Sequence, residues 1–182
     1  MYLLIDLGNT RAKFFLYKEG YFFAEERVDL SRYDEMAKYL ISNHPDIKGL
    51  IYSDVSNKAV GFFEKFSVQF SVIRVHSQIK LPFKNSYESP NSLGSDRIVL
   101  VSAACKYYPK TNVLIIDLGS CITYDFLDSN CIYHGGAISP GFEMRYKSLH
   151  HYTGNLPLLE GKKFKNPTGK NTEQAIHAGI YF

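Results

Sequence analysis

Apolar and polar positions alternate along two short stretches that begin alike. Residues 3–15 read LLIDLGNTRAKFF, and residues 114–126 read LIIDLGSCITYDF. Aligned without gaps, Leu3, Ile5, Asp6, Leu7, Gly8 and Phe15 meet Leu114, Ile116, Asp117, Leu118, Gly119 and Phe126. Each copy predicts a hairpin: an apolar strand (Tyr2–Ile5; Val113–Ile116), an Asp-x-Gly turn, and a second strand (Ala12–Tyr17; Ile122–Phe126). Between them, Arg32–Ser42 has helical spacing, with Tyr33, Met36, Ala37, Leu40 and Ile41 on one face. Asp29 or Ser31 is placed to cap its start.

The pattern then predicts a strand over Gly49–Val55, a short helix over Asn57–Phe66 and a strand over Ser71–His76. Residues 77–96, rich in Pro, Ser and Asn, predict a loop, and Ile98–Tyr108 predicts a helix ended by Pro109. Gly135-Gly136 predicts a turn, and Phe142, Tyr146 and Leu149 share a helical face that packs a core or a dimer contact. Strands and helices thus alternate, with a boundary expected near Lys110–Asn112. The part after it is short for a matching domain, and Ala175, Ile176, Gly179, Ile180 and Phe182 form an apolar pattern with no helix stop signal. The expectation is a second domain that is incomplete here.

The turns carry the first candidate chemistry. Glycine lets a backbone turn tightly and approach a ligand. Asn9, Thr10 and Ser120 add amide, hydroxyl and backbone donors that can wrap phosphate oxygens. Asp6 and Asp117 are acceptor-only, which suits a cation or a metal-bound water rather than phosphate itself. Two such turns facing one another would hold a polyphosphate and its cation. A further motif, Gly94-Ser95-Asp96-Arg97, precedes the predicted helix at Ile98. Ser95 or Asp96 can cap that helix, the helix start favours anions, Asp96 can take a proton from a hydroxyl, and Arg97 can hold a carboxylate or phosphoryl group.

Composition narrows the classes. The chain has 182 residues, 45% hydrophobic and 21% charged, as in ordinary globular proteins. A net charge of +3, with Lys162, Lys163 and Lys165 as the densest basic stretch, gives no argument for nucleic acid or an anionic membrane. The 14 tyrosines and 13 phenylalanines are not interleaved with basic residues, so they read as core rather than a base-stacking platform. The three cysteines fit no zinc or redox spacing, which predicts reduced thiols, with Cys105 in the core. Asp6 interrupts the first apolar run, so no signal peptide is expected, and no run approaches membrane-spanning length. His150 and His151 are adjacent and poorly placed to share one ion; His134 has no assigned role.

In combination the motifs are far more specific than singly. Asp6-Leu-Gly-Asn-Thr10 with Lys13, Tyr87, Gly94-Ser-Asp-Arg97, Asp117-Leu-Gly-Ser120 with Thr123, Gly135-Gly136-x-Ile138-x-Pro140-Gly141, and Asn171-Thr172-x-x-Ala175-Ile176-x-x-Gly179, in this order, closely resemble the type III pantothenate kinases. The resemblance implies an α/β fold of two ribonuclease-H-like domains of the actin-like, acetate-kinase and sugar-kinase superfamily, here 1–111 and 112–182. It implies phosphorylation of pantothenate by ATP, the first step toward coenzyme A, in a homodimer, and the cysteine usage adds the expectation of a reduced, cytoplasmic setting. Asp6, Leu7, Gly8, Asn9, Thr10, Arg11, Ala12, Lys13 and Ser120 are then expected to bind ATP, with Mg²⁺ near Asp6 through water. Asp96 is the proton acceptor; Tyr87, Gly94, Ser95, Asp96, Arg97 and Thr172 bind pantothenate, Thr172 across the dimer; Asp117 binds a monovalent cation, K⁺ or NH₄⁺. Gly119-Ser120-Cys121 stands where the family usually has Gly-Thr-Ala, which keeps the hydroxyl.

Three other readings use the same residues. A ribonuclease-H-fold nuclease would use Asp6, Asp96, Asp117 and Asp125 as metal carboxylates. A nucleotide-binding regulator would keep the fold without catalysis. An actin-like filament former would have no use for the Gly-Ser-Asp-Arg loop. The Gly-Asn-Thr and Gly-Ser loops favour the kinase over the nuclease, and Asp96, Arg97 and Thr172 favour it over the regulator.

Overall fold

The computed structural model describes all residues, Met1–Phe182, as a mixed α/β fold with two sheets. The chain divides into two compact units: residues 1–113 with 127–134, and residues 114–126 with 135–182.

The first unit is built on strands β1 (Tyr2–Leu7), β2 (Arg11–Lys18), β3 (Tyr21–Asp29), β4 (Gly49–Asp54) and β5 (Ser71–Arg74), in the order β3-β2-β1-β4-β5. β1 runs antiparallel to β2 and parallel to β4, so the first predicted hairpin forms, with Asp6 opposite Lys13 on one side and Ser53 on the other. Alternation along β1 and β2 puts Leu3, Ile5, Leu7, Ala12, Phe14 and Leu16 on the buried side, in one core with Ala37 and Leu40 of helix α1 (Tyr33–Asn43). Full burial of each large aliphatic side chain there contributes roughly 1.5–3 kcal/mol. The face predicted for α1 is the face that packs. Its start is not capped by Asp29 or Ser31; a 3-10 turn over Leu30–Arg32 leads in, and neither element has a side-chain cap.

The helix predicted at Asn57–Phe66 is instead a turn followed by a 3-10 helix, Phe63–Val68. Asn57 and Gly61 take positive φ, which breaks an α-helix before it starts. Aromatic packing organises this segment: Phe63 lies 4.7 Å from Tyr52 and 4.9 Å from Phe62, ring centre to ring centre. The Tyr52 hydroxyl donates to Glu64, and burial, reinforced by that carboxylate, pushes the phenol up, so it stays protonated.

Two strands escape the hydrophobic pattern. β3 carries Tyr21, Phe22 and Phe23 on solvent and then Glu25, Glu26 and Arg27, so no apolar alternation marks it. It is an edge strand, where charge blunts unwanted pairing. β6 (Lys84–Asn85) lies inside the predicted loop and is too short to show a period. Helix α2 (Ser95–Tyr107) starts a turn earlier than predicted, buries Ile98, Val101 and Ala104, and is preceded by Gly94 without a side-chain cap.

The second sheet has the order β6-β9-β8-β7, from β7 (Val113–Leu118), β8 (Cys121–Leu127) and β9 (Ile132–Pro140). The outer ends of β8 and β9, with the connection at 127–134, belong to the first unit. Gly135 and Gly136 are not a turn; they lie inside β9. A methyl group on Gly136 would sit 1.7 Å from the Tyr124 carbonyl oxygen, so the neighbouring strand demands a bare backbone. In the second unit α3 (Phe142–His151) and α4 (Thr172–Tyr181) share a small core of Tyr146, Ile176 and Ile180. The Tyr146 hydroxyl lies 2.6 Å from Nδ1 of the buried His177. The internal echo is therefore unequal: Leu3 and Leu7 are fully buried, whereas Leu114, Ile116 and Leu118 on edge strand β7 are 61%, 52% and 68% exposed.

The thiol expectation fails for two residues. Cys105 and Cys131 form a disulfide, and Cys105 is half-buried at the end of α2 rather than in the core; Cys121 alone is free. Spacing concealed the pair because 26 residues and two elements separate them in sequence. No helix is long and apolar enough to cross a membrane.

Gly136→Ala is expected to destabilise the chain by more than about 2 kcal/mol, because backbone atoms must move. A urea midpoint within error of wild type would contradict the packing described for β9.

Candidate active site

The first acidic glycine turn joins β1 to β2. The Gly8 amide donates to the Arg11 carbonyl at 3.0 Å, closing the turn and leaving Asn9 and Thr10 exposed. Leu7 and Ala12 put their side chains in the core, so only their backbone can face a ligand. Arg11 is exposed at the start of β2. Asp6 and Lys13 are cross-strand partners joined by an ion pair of 3.2 Å. Both are partly exposed, so the pair contributes little to stability. Its value is geometric: it presents a carboxylate and an ammonium together beside the turn.

The Gly-Ser-Asp-Arg segment begins α2 in the same unit. Ser95 is buried, and its hydroxyl oxygen accepts the Asp54 amide at 3.1 Å and lies 3.0 Å from the Ser53 hydroxyl. The Asp54 carboxylate in turn accepts the Ser56 amide and hydroxyl and the Ala59 amide, at 2.9, 2.7 and 3.0 Å. These bonds fasten the α2 start to the end of β4, one strand from Asp6. Asp96 turns back so that its Oδ1 accepts the Arg97 amide at 2.8 Å. A methyl group at Gly94 would come within 2.5 Å of that oxygen, so the Asp96 carboxylate would have to shift. Arg97 is buried, with its guanidinium 5.6 Å from the centre of the Tyr87 ring. The Tyr87 amide donates to Asn85 Oδ1 at 3.0 Å, and its ring lies 6.1 Å from that of the buried Tyr133. The first unit thus contains Asp6, Lys13, Tyr87, Ser95, Asp96 and Arg97.

The second acidic glycine turn lies in the second unit. The Gly119 amide donates to the Cys121 carbonyl at 2.9 Å, and the Gly141 amide donates to the Ser120 carbonyl at 3.0 Å. A methyl group on Gly141 would lie 2.3 Å from the Gly119 oxygen and 2.5 Å from the Ser120 oxygen. Gly141, part of the motif singled out in the sequence, is therefore a backbone buttress of the turn. Asp117 and Ser120 are exposed at it. Thr172 is exposed at the first position of α4, whose start is held by Asn171 accepting the Gln174 amide at 2.9 Å and by Gln174 accepting the Lys170 amide at 3.0 Å. Glu173 beside it is held below the usual carboxylate range by its hydrogen bond from Lys162.

Other candidates resolve into structure. His134 Nε2 lies 2.9 Å from Asp128, whose carboxyl that contact lowers. His150 Nδ1 bonds to the Leu156 carbonyl at 2.8 Å rather than sharing an ion with His151. No group of three or more His, Cys, Asp and Glu side chains is arranged to hold a metal ion. A cleft of about 480 Å³ beside α3, lined by Glu143, Lys147 and Glu160 among others, contains none of the predicted site residues. Ser53 and Asp54 are the site residues missed in the sequence. Their only signal was a polar pair at a strand end, which is common.

Comparison with known proteins sets this geometry in a class. A solved structure from Campylobacter jejuni, described as a conserved Baf family transcriptional activator, superposes with a TM-score of 0.60 at 24% identity, covering 98% of this chain and 73% of that one. A 2-dehydro-3-deoxygalactonokinase protein from Sinorhizobium meliloti superposes with a TM-score of 0.52 at 11% identity, covering 84% and 58%. The chain therefore shares its α/β fold with these two structures, one of them described as a sugar-acid kinase. The family model described as type III pantothenate kinase matches residues 2–182. Type III pantothenate kinases of Christiangramia forsetii and Flavobacterium psychrophilum are 42% and 37% identical over 99% of this chain. The chain spans about three quarters of their length, 74% and 75%. It belongs to the type III pantothenate kinase family, and so is a phosphotransferase of the first step of coenzyme A biosynthesis.

Ser95→Ala leaves the buried Asp54 amide without its acceptor. The expected loss is about 1–3 kcal/mol of folding stability, read by chemical denaturation; an unchanged midpoint would remove Ser95 as the anchor of α2.

Proposed function

We propose that the two acidic glycine turns hold ATP and that Asp96 takes the proton of the pantothenate hydroxyl. On this reading Asp6 to Lys13 and Ser120 cradle the phosphates. Gly94 to Arg97 and Tyr87 hold pantothenate, and Thr172 completes that site from the second copy of a homodimer. The two turns belong to two ribonuclease-H-like domains, 1–111 and 112–182, of a cytoplasmic enzyme.

The observation that carries the reading is the linkage inside the first unit. Asp6 pairs in register with Ser53, and Ser53 bonds to Ser95 beside Asp96. A phosphate-side carboxylate and an acceptor-side carboxylate thus hang on one rigid crossing of strand and helix. Phosphoryl transfer asks mainly for position and charge neutralisation. Lys13 and Arg97 supply fixed positive charge for the transferring group and the acceptor. Asp96 lies on the first turn of α2, where the helix dipole favours its ionised form. A carboxylate there can orient the hydroxyl and receive its proton late, when the oxygen has become acidic.

The residues present fit the expected cations. Mg²⁺ keeps much of its water and takes one or two carboxylates plus substrate phosphates, so the partly exposed Asp6 suits it through water, without a dedicated protein cage. When bound it would offset phosphate charge. The exposed Asp117 carboxylate is the proposed contact for K⁺ or NH₄⁺.

A coupled assay with pantothenate and ATP tests the reading. Product is expected, with Asp96→Asn lowering turnover by about 10²-fold or more while ATP affinity is kept. Full turnover in that variant would end the assignment of Asp96. Replacing potassium by a large organic cation is expected to lower turnover in wild type and to change nothing further in Asp117→Ala. A wild-type rate indifferent to the cation would remove Asp117 from that role.

A further inference from the structure

The disulfide lies where the acceptor subsite is assembled. The segment that carries Tyr87 has little structure of its own. It runs along the end of β9 as the two-residue strand β6, in parallel with Ile132 and Tyr133. The Lys84 amide donates to the Cys131 carbonyl at 2.8 Å, and the Ser86 amide donates to the Tyr133 carbonyl at 3.0 Å. Phe83 is buried with its ring 5.9 Å from that of Tyr133. On the other side, Arg97 of α2 covers Tyr87, and the Cys105 sulfur of the same helix lies 3.3 Å from the Pro82 carbonyl oxygen. The segment from Pro82 to Tyr87 is thus held between α2 and the start of β9. Cys105 and Cys131, with Cα atoms 5.7 Å apart, join those two elements covalently.

Cys131 itself takes φ of 56°, a left-handed conformation that non-glycine residues rarely adopt, directly beside the ladder that receives β6. Both cysteines are half-buried, so small thiol reagents can reach them. We infer that the Cys105–Cys131 disulfide is a positioning device for the pantothenate subsite, so that opening it loosens the grip on pantothenate while leaving the nucleotide turns as they were. The inference rests on the proposed reading that Tyr87 and Arg97 contact pantothenate. The covalent chemistry balances by thiol–disulfide exchange. To open the bridge, one thiolate of a small dithiol attacks a bridge sulfur, forming a mixed disulfide and freeing one cysteine thiolate. The second dithiol sulfur then displaces the other cysteine and leaves as a cyclic disulfide. Two electrons and two protons pass to the protein thiols. Closing runs the exchange in reverse against a small-molecule disulfide, which is released as two thiols.

The test uses the full chain with the bridge closed by a small-molecule disulfide or opened by a dithiol. Thiol titration verifies each state: Cys121 alone reacts when the bridge is closed, and all three cysteines react when it is open. Calorimetry then measures pantothenate and ATP binding separately. Opening the bridge is expected to weaken pantothenate about tenfold, equal to ~1.4 kcal/mol, with ATP affinity unchanged and with full recovery on re-closing. The Cys105→Ser, Cys131→Ser double variant is expected to sit at the weakened affinity whatever the redox reagent. Tyr87→Ala, bridge closed, is the arm that tests the acceptor reading, and it is expected to weaken pantothenate. If Tyr87→Ala weakens pantothenate but opening the bridge does not, the inference fails and the acceptor reading stands. If Tyr87→Ala is silent, or the closed form binds no pantothenate, both fall. Equal losses of pantothenate and ATP affinity would show a general loosening of the fold and overturn the positioning role. So would a bridge that no disulfide reagent can close.

Discussion

A single hydroxyl oxygen, that of Ser95, fastens the start of α2 to the end of β4. It does two jobs: it satisfies the buried Asp54 amide, and it meets Ser53 in the strand beside Asp6. A buried amide without an acceptor is costly, so the helix start has one low-energy seat. Asp96 and Arg97 follow at once in the chain and inherit that seat. Gly94 then allows Asp96 to fold back on its own helix, and Arg97 lies over Tyr87. The Gly94–Arg97 segment is therefore placed by main-chain hydrogen bonds more than by contacts among its own side chains.

The two acidic turns close differently and have different supports. In the first, Gly8 bonds to Arg11 within the hairpin, and the Thr10 carbonyl accepts the Leu30 amide at 2.9 Å. In the second, Gly119 bonds to Cys121, and a separate segment, at Gly141, presses against the turn from outside. A glycine far along the chain thereby becomes part of the loop. The duplicated sequence conceals this difference, because the supporting residues lie outside the repeated thirteen-letter string.

Much of the first sheet was legible because β1, β2 and α1 each bury one face, and burial imposes a period of two or 3.6. The two Asp-x-Gly turns were legible because glycine and carboxylate residues stand together at strand ends. β3 was silent since only Ala24 and Val28 of its nine residues pack toward the core, too few to show a period. β6 was silent since two residues cannot show a period. Gly135-Gly136 misled because glycine serves close strand approach as well as turns. Ser53 and Asp54 were missed because their worth comes from Ser95, 42 residues after Ser53, and no local pattern encodes that meeting. The cysteine pair was missed for the same reason: a cross-link between a helix end and a hairpin is a tertiary fact.

Strand β7 has a further consequence. Its outer edge has no neighbour in the sheet, and Leu114, Ile116 and Leu118 stand open to water beside it, with no proline along the strand and Asp117 as its one charge. Unpaired amide and carbonyl groups flanked by aliphatic side chains form a template on which another extended chain can grow. Strand β7 therefore offers an aliphatic sheet margin that the charged edge strand β3 does not.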